Sequence, residues 1–239
     1  MDVFYIFLYL LTFTLYLLPD LLDHYNHGRY FDFSTASLCA NMSYVDESKG
    51  IAIWLQKKLD GLEISSDERT RTVAGCFDTV LEHQVAISIL LENQLVGSAF
   101  ALARSVFEGY VRGIWLNKCA TDAQVSRFLK GRLDPKFQEL IDDIEKEDGY
   151  TVGAISDAKK ASWTTLNGFT HTGSVQVLSR HSDEFIEPNY SESDIEAIAG
   201  FVNTTALLAG VEIACLAKTE PEKRALEFLD KMKEYAGQA

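Results

Sequence analysis

Proline and cysteine are both scarce in this 239-residue chain, with four of each. The cysteines, Cys39, Cys76, Cys119 and Cys215, lie far apart and form no Cys-x-x-Cys pair. That spacing excludes a zinc ribbon and a disulfide framework, and it fits free thiols in apolar helices of a reducing compartment. Positive charge is short as well: 22 Lys and Arg stand against 35 Asp and Glu, a net charge of −13. An acidic surface field repels phosphate, which argues against a general nucleic-acid binder and leaves a local basic patch as the route to RNA. The sequence lacks the Gly-rich phosphate loops, the Gly-x-Ser-x-Gly elbow, the His-Glu-x-x-His zinc helix and any Glu-x-x-His. The common nucleotide-binding, serine-hydrolase, zinc-protease and di-iron classes therefore have no motif support, and no cofactor or metal is implied. Nothing in these absences decides for or against an enzyme.

One stretch lacks charge altogether. Val3–Leu18 is sixteen residues without a charged side chain, closed by Pro19-Asp20. It is a little short of the roughly 20 residues that span a bilayer, and it lacks a basic n-region and cleavage site. It reads as a hydrophobic leader helix, 1–22, and three readings compete: a marginal membrane anchor contacting lipid through residues 3–18, a buried or partner-bound helix, or an upstream extension. If it inserts, the basic residues on its C-terminal side, Arg29, Lys49, Lys57 and Lys58, keep the body cytoplasmic and tethered to the inner membrane. Residues 23–46 show no period and read as a connector.

From about Glu47 the pattern is helical, and period-2 alternation is never sustained. A short helix through Ile51–Leu59 ends at Gly61. Ser65 and Glu68 form a capping box for the next helix, and a third runs from Ser98 to about Lys118. Thr121 and Gln124 cap a fourth, Asp134-Pro135 open a fifth that stops at Gly149, and another spans Ser156 to about Phe169. Ser191 or Ser193 starts a long helix through Leu216, and Thr219–Glu222 caps the last. The fold class is all-α: a single helical bundle of six to eight helices over 47–239, preceded by the leader.

The third helix carries Phe100, Arg104, Phe107, Val111 and Trp115 on one stripe, with Glu108 one turn after Arg104. Its other faces are mostly apolar, which predicts a place in the middle of the bundle with Arg104 and Glu108 desolvated. A desolvated ion pair is costly, so the pair reads either as a register-fixing contact or as an anion site built on Arg104. His171, in LNGFTHTG, is expected where a helix breaks, with Asn167, Thr170 and Thr172 orienting its ring. The binding candidates are Arg104, Glu108, Trp115, Asn167, His171 and Thr172, and the catalytic candidates are Arg104, Glu108 and His171. Glu212 reads as a further inward carboxylate, and His83 as a core histidine. The most basic window holds Lys118, Arg127, Lys130, Arg132 and Lys136 against two carboxylates, a net +3 that could receive an RNA backbone.

The segments GSAFALARSVFEGYVRGIWL, SRFLKG, SWTTLNGFTHTG and IEPNYSESDIEAI resemble a bacterial family of small helical proteins of unknown function, over about residues 47–218. That resemblance implies a helical domain and carries no activity. The Arg of a central helix and the displayed His also resemble, at fold level, HEPN-type domains, many of them metal-independent ribonucleases of toxin–antitoxin and phage-defence systems. Their Arg-x(4–6)-His signature is absent: Arg104 is followed by Ser105, and His171 lies in a different helix. Two functions follow. One is a helical domain binding a partner, anion or nucleic acid in stress or phage defence. The other is a ribonuclease using Arg104 and His171. A homodimer is a candidate assembly for either.

Overall fold

The computed structural model describes residues 30–31, 43–182 and 185–237. The leader, 1–22, and most of the connector lie outside the described residues. The described chain is all-α, apart from a two-residue parallel pairing of β1 (Tyr30–Phe31) with β2 (Phe185–Ile186). Nine helices follow one another among the described residues: α1 Ser43–Leu59, α2 Glu68–Glu92, α3 Val96–Lys118, α4 Asp122–Leu129, α5 Phe137–Ile144, α6 Ala154–Thr170, α7 Ser174–Leu178, α8 Glu192–Cys215 and α9 Pro221–Ala236. α7 is a turn and a half that no periodicity announces.

α8 is the axis of the bundle. It is apolar on every side, and eighteen of its residues are buried, from Asp194 through Ala214. The sequence places the third helix at the centre; the structure gives that position to α8, and α3 packs beside it against α2, α5 and α6. α1 runs in the same direction as α8, since Ser48 meets Asn203 and Leu55 meets Gly210. α9 runs opposite, with Tyr235 near Asn203 and Phe228 against Gly210. α2 and α3 are antiparallel and close: Gly113 faces the Phe77 ring and Gly109 faces Val80. By length and composition alone α2 and α8 are each long and apolar enough to cross a membrane, and four fifths of the apolar window of α8 is buried in the bundle.

A polar network threads this core. Gln84 Nε2 donates to Asn203 Oδ1 at 3.0 Å and to the Ser48 carbonyl at 2.9 Å. Asn203 Nδ2 donates to Ser48 Oγ at 2.9 Å and to the Tyr235 hydroxyl at 3.3 Å. Four helices, α1, α2, α8 and α9, are thereby fixed in register at one level of the bundle, because a slip would strand buried donors.

Several helix starts differ from expectation, each for a local reason. α2 begins at Glu68 with Asp67 as N-cap, not Ser65: Asp67 Oδ1 accepts from the Thr70 amide at 2.9 Å, while the Glu68 carboxylate is drawn to Ser126 Oγ. α5 begins at Phe137 and not at Pro135, because the Asp134 carboxylate reaches Arg112, 3.4 Å away, instead of capping. α9 begins at Pro221 after a left-handed Glu220, since Ala217 bridges Ile64 and the Lys218 amide donates to the Glu63 carbonyl. The Thr121–Gln124 capping box and the helix stop at Gly61 stand where the sequence places them, and of the two candidates Ser191 and Ser193 it is Ser191 that caps α8.

Candidate functional site

α3 presents Arg104 between two aromatic contacts that lock it against α5 and α6. Phe100 packs edge-on to Phe169, centroids 4.7 Å apart, and Phe107 packs edge-on to Phe137 at 5.4 Å. Arg104 is the polar position between them. Its side chain is 21% exposed and that of Glu108 24%, so the pair sits at the rim of the bundle. This corrects the expectation of a desolvated pair: α6 crosses above this stripe and covers only part of it. Arg104 Nε and Nη2 both donate to Glu108 Oε1 at 2.8 Å.

α6 supplies the rest. Lys159, Trp163, Asn167 and His171 recur every four residues and therefore share one stripe. The Arg104 guanidinium lies 4.9 Å from the centre of the Trp163 ring, a cation–π contact. Trp163 stacks on Phe137 with centroids 4.6 Å apart and planes 9° from parallel. Lys159 Nζ lies 5.5 Å from Trp163 and 5.9 Å from Phe137. Arg104 Nη1 reaches His171 Nε2 at 2.6 Å. Arginine can only donate, so in this contact Nε2 is the acceptor.

His171 is displayed by the way α6 ends. It is the C-cap, its amide donating to the Asn167 carbonyl at 3.1 Å. The Gly173 amide closes back on the Gly168 carbonyl at 2.7 Å, the six-residue bond of a Schellman turn. The left-handed residue between them is Thr172, φ 52°, where glycine is usual. A β-branched residue in that conformation costs on the order of 1–2 kcal/mol, held here by the bond on either side of it. A Cβ on Gly173 would sit 3.1 Å from Gly168, so the two backbones touch and the chain turns sharply after His171. Gly168 itself is helical rather than part of a turn. Thr170 Oγ1 bonds to the Ala101 and Leu166 carbonyls, at 3.3 and 2.8 Å, pinning this end of α6 to α3.

Of the residues singled out from sequence, Arg104, Glu108 and His171 come together. Asn167 lies on the same stripe, one turn before His171, with its Oδ1 buried and lacking a hydrogen-bond partner among the described residues. Arg104, not Asn167 or a threonine, orients the imidazole. Trp115 is elsewhere: buried three turns further along α3, it donates from Nε1 to Asp143 Oδ2 at 3.1 Å. The basic window is split. Lys136 immediately precedes Phe137 of the aromatic platform, while Lys118 is fourteen residues beyond Arg104, about 21 Å along α3. Arg127, Lys130 and Arg132 are exposed on α4 and the loop after it. Trp163, Phe137 and Lys159 escaped the sequence reading, although the four-residue repeat 159, 163, 167, 171 was the signal that could have found them.

Glu212 occupies a second, separate polar group. It accepts from the Tyr150 hydroxyl at 3.1 Å, and burial pushes its carboxyl above the usual carboxylate range, opposed by Lys118 and by the Tyr150 bond. Burial likewise pushes the Tyr150 hydroxyl up, and the neighbouring carboxylate adds to the effect.

No curated protein and no solved structure matches the chain. One family model does match, over residues 77–237, or 161 of the 239 residues. That span holds every member of the cluster, from Arg104 through Phe137 and Trp163 to His171. On that match the chain belongs to DUF6988, a family of unknown function.

Proposed function

We propose that the rim formed by Arg104, Lys159 and His171 binds a phosphate group, and that the phosphate belongs to an RNA strand. The observation that carries this reading is the 2.6 Å contact between Arg104 and His171, two residues 67 positions apart in sequence. Glu108 and Trp163 hold the guanidinium in place, and at most three of its five N–H groups are engaged, leaving two for an incoming oxygen. Lys159 adds charge on the same stripe, and Lys136 stands next to Phe137 at its edge. A net charge of −13 gives the molecule as a whole a field that opposes RNA, so binding through this rim weakens steeply with salt.

The Arg–His contact also favours cleavage as a second reading. A bound phosphate takes over Nη1 of Arg104 and frees His171 Nε2. That nitrogen then accepts the proton of the ribose 2′-hydroxyl as the 2′-oxygen attacks phosphorus. The bond to the 5′-oxygen breaks, and that oxygen takes a proton from water or from the imidazolium just formed. The products are a 2′,3′-cyclic phosphate and a 5′-hydroxyl, and Arg104 neutralises the phosphorane between them. The setting in stress or phage defence rests on the resemblance to HEPN-type domains.

The test is anisotropy of a labelled single-stranded RNA at low and moderate salt, with the products resolved on a gel. An i,i+4 ion pair and a cation–π contact together contribute about 1 kcal/mol, so Arg104→Ala should stay folded. Its affinity should fall about tenfold or more, as expected where a charge-assisted contact is lost. Unchanged affinity would sink the binding reading. Cleavage by wild type that drops on the order of 10²-fold or more in His171→Ala assigns the histidine as acid or base. Full cleavage by that variant removes it from the role.

A further inference from the structure

A second face of the molecule is unfinished. α1 and α2 diverge to leave an open groove of about 1000 Å³. Apolar side chains stand in it half exposed, Ile53 at 52%, Val85 at 41% and Ile89 at 51%, with Leu59, Leu62 and Leu81 behind them. Only a third of the most apolar window of α2 is buried. Three carboxylates, Asp60, Asp78 and Glu82, line the same groove, and its one cation, Lys49, is paired with Glu92. A contiguous apolar patch of this kind marks a binding surface.

We propose that the occupant is the chain's own Val3–Leu18 segment. Three observations select it. The first is length: the α2 wall runs from Ala74 to Ile89, about 22 Å at 1.5 Å per residue, and sixteen residues of helix span about 24 Å. The second is charge. A second copy of this chain would bring the same acidic lining and a net −13 to the interface, whereas Val3–Leu18 brings no charge to meet the carboxylates. The third is reach. Tyr30–Phe31 is held against Phe185–Ile186, and Ile186 shares a cavity with Gln94 and Leu95, just past the Ile89 end of the groove. The eleven residues 19–29 extend up to roughly 36 Å, which suffices to bring the segment in. A tether of that kind holds its own segment at an effective concentration on the order of millimolar, which favours it over a free partner. The binding mode is an apolar helix laid into a helical groove.

The experiment uses the full chain with Tyr9 replaced by the photo-cross-linker p-benzoylphenylalanine, irradiated with and without vesicles of phosphatidylcholine and phosphatidylglycerol. The expected product is a cross-link within one chain, mapped by mass spectrometry to residues 52–89, and retained when vesicles are present. Adding Ile53→Glu with Ile89→Glu should lower its yield about tenfold or more, each tenfold being 1.4 kcal/mol of docking. Because those two side chains are half exposed, the helical content should be unchanged. A variant that leaves the body intact, Leu8→Lys with Leu11→Lys, should lose the cross-link equally. Cross-links between two chains would replace the proposal with a dimer. Cross-links to lipid at the expense of the internal one would replace it with a membrane anchor. An internal cross-link indifferent to both double substitutions would overturn it outright.

Discussion

Arg104 satisfies its guanidinium from three directions, with Glu108 on its own helix, His171 across from it and the Trp163 face below. The contact with His171 is a detail no residue spacing could disclose, because 67 positions separate the two. The titrating group of note is Glu212, in the separate polar group with Tyr150. Its folded-state pKa is raised, so the folded state holds its proton more tightly than the unfolded chain does. Deprotonation therefore works against folding: the cost is absent below the ordinary carboxylate pKa, grows as pH rises through the shifted value, and is complete above it. Glu212→Gln keeps a hydrogen-bonding partner for Tyr150 and removes the charge. Thermal unfolding at several pH values should show the variant more stable than wild type at pH 7, with the difference vanishing toward pH 4. A difference that does not change with pH would mean that the carboxyl is not the group responsible.

At the scale of the elements, glycines decide how closely α8 meets its neighbours. A Cβ at Gly210 would lie 2.6 Å from the Phe228 ring and 2.8 Å from Leu55, on two different helices. Phe228 and Leu55 are both buried, so neither has free space to retreat into. Gly210→Ala raises intrinsic helix propensity by about 1 kcal/mol, yet overpacking of this kind costs typically 1–3 kcal/mol, and here two partners must move. The expected outcome is a net loss of stability by about 1–2 kcal/mol in denaturant titration, with helical content retained. A gain would show that α1 and α9 can yield. The helix starts teach a related lesson. The Thr121–Gln124 box was legible because both of its bonds are local, and the α8 start was legible to within two residues because the Ser191 hydroxyl bonds only within its own first turn. Asp134 was not, because the side chain that would cap α5 finds Arg112 instead, and sequence spacing cannot rank a local bond against one to another helix.

For the whole molecule, the Ser48–Gln84–Asn203–Tyr235 network is the contact that specifies one arrangement of four apolar helices. Asn203 is 1% exposed and bonds to all three others. Asn203→Ala removes three buried hydrogen bonds at about 1 kcal/mol each, while Gln84 keeps the Ser48 carbonyl and Ser48 keeps the Tyr44 carbonyl. The melting temperature should fall by roughly 5–10 °C. A fall of a degree or two would assign the register to apolar packing alone. The all-α class, the run of helices and the pairing of Arg104 with Glu108 were determined by the sequence itself, since helical periodicity and i,i+4 spacing are local properties of the chain. Tertiary structure alone decided that α8 and not α3 is the axis, that the Arg104–Glu108 pair sits at the rim, and that Trp163, Phe137 and His171 gather around it. Those outcomes depend on which apolar face packs on which, and burial at such contacts is non-directional, so a single sequence does not rank the alternatives.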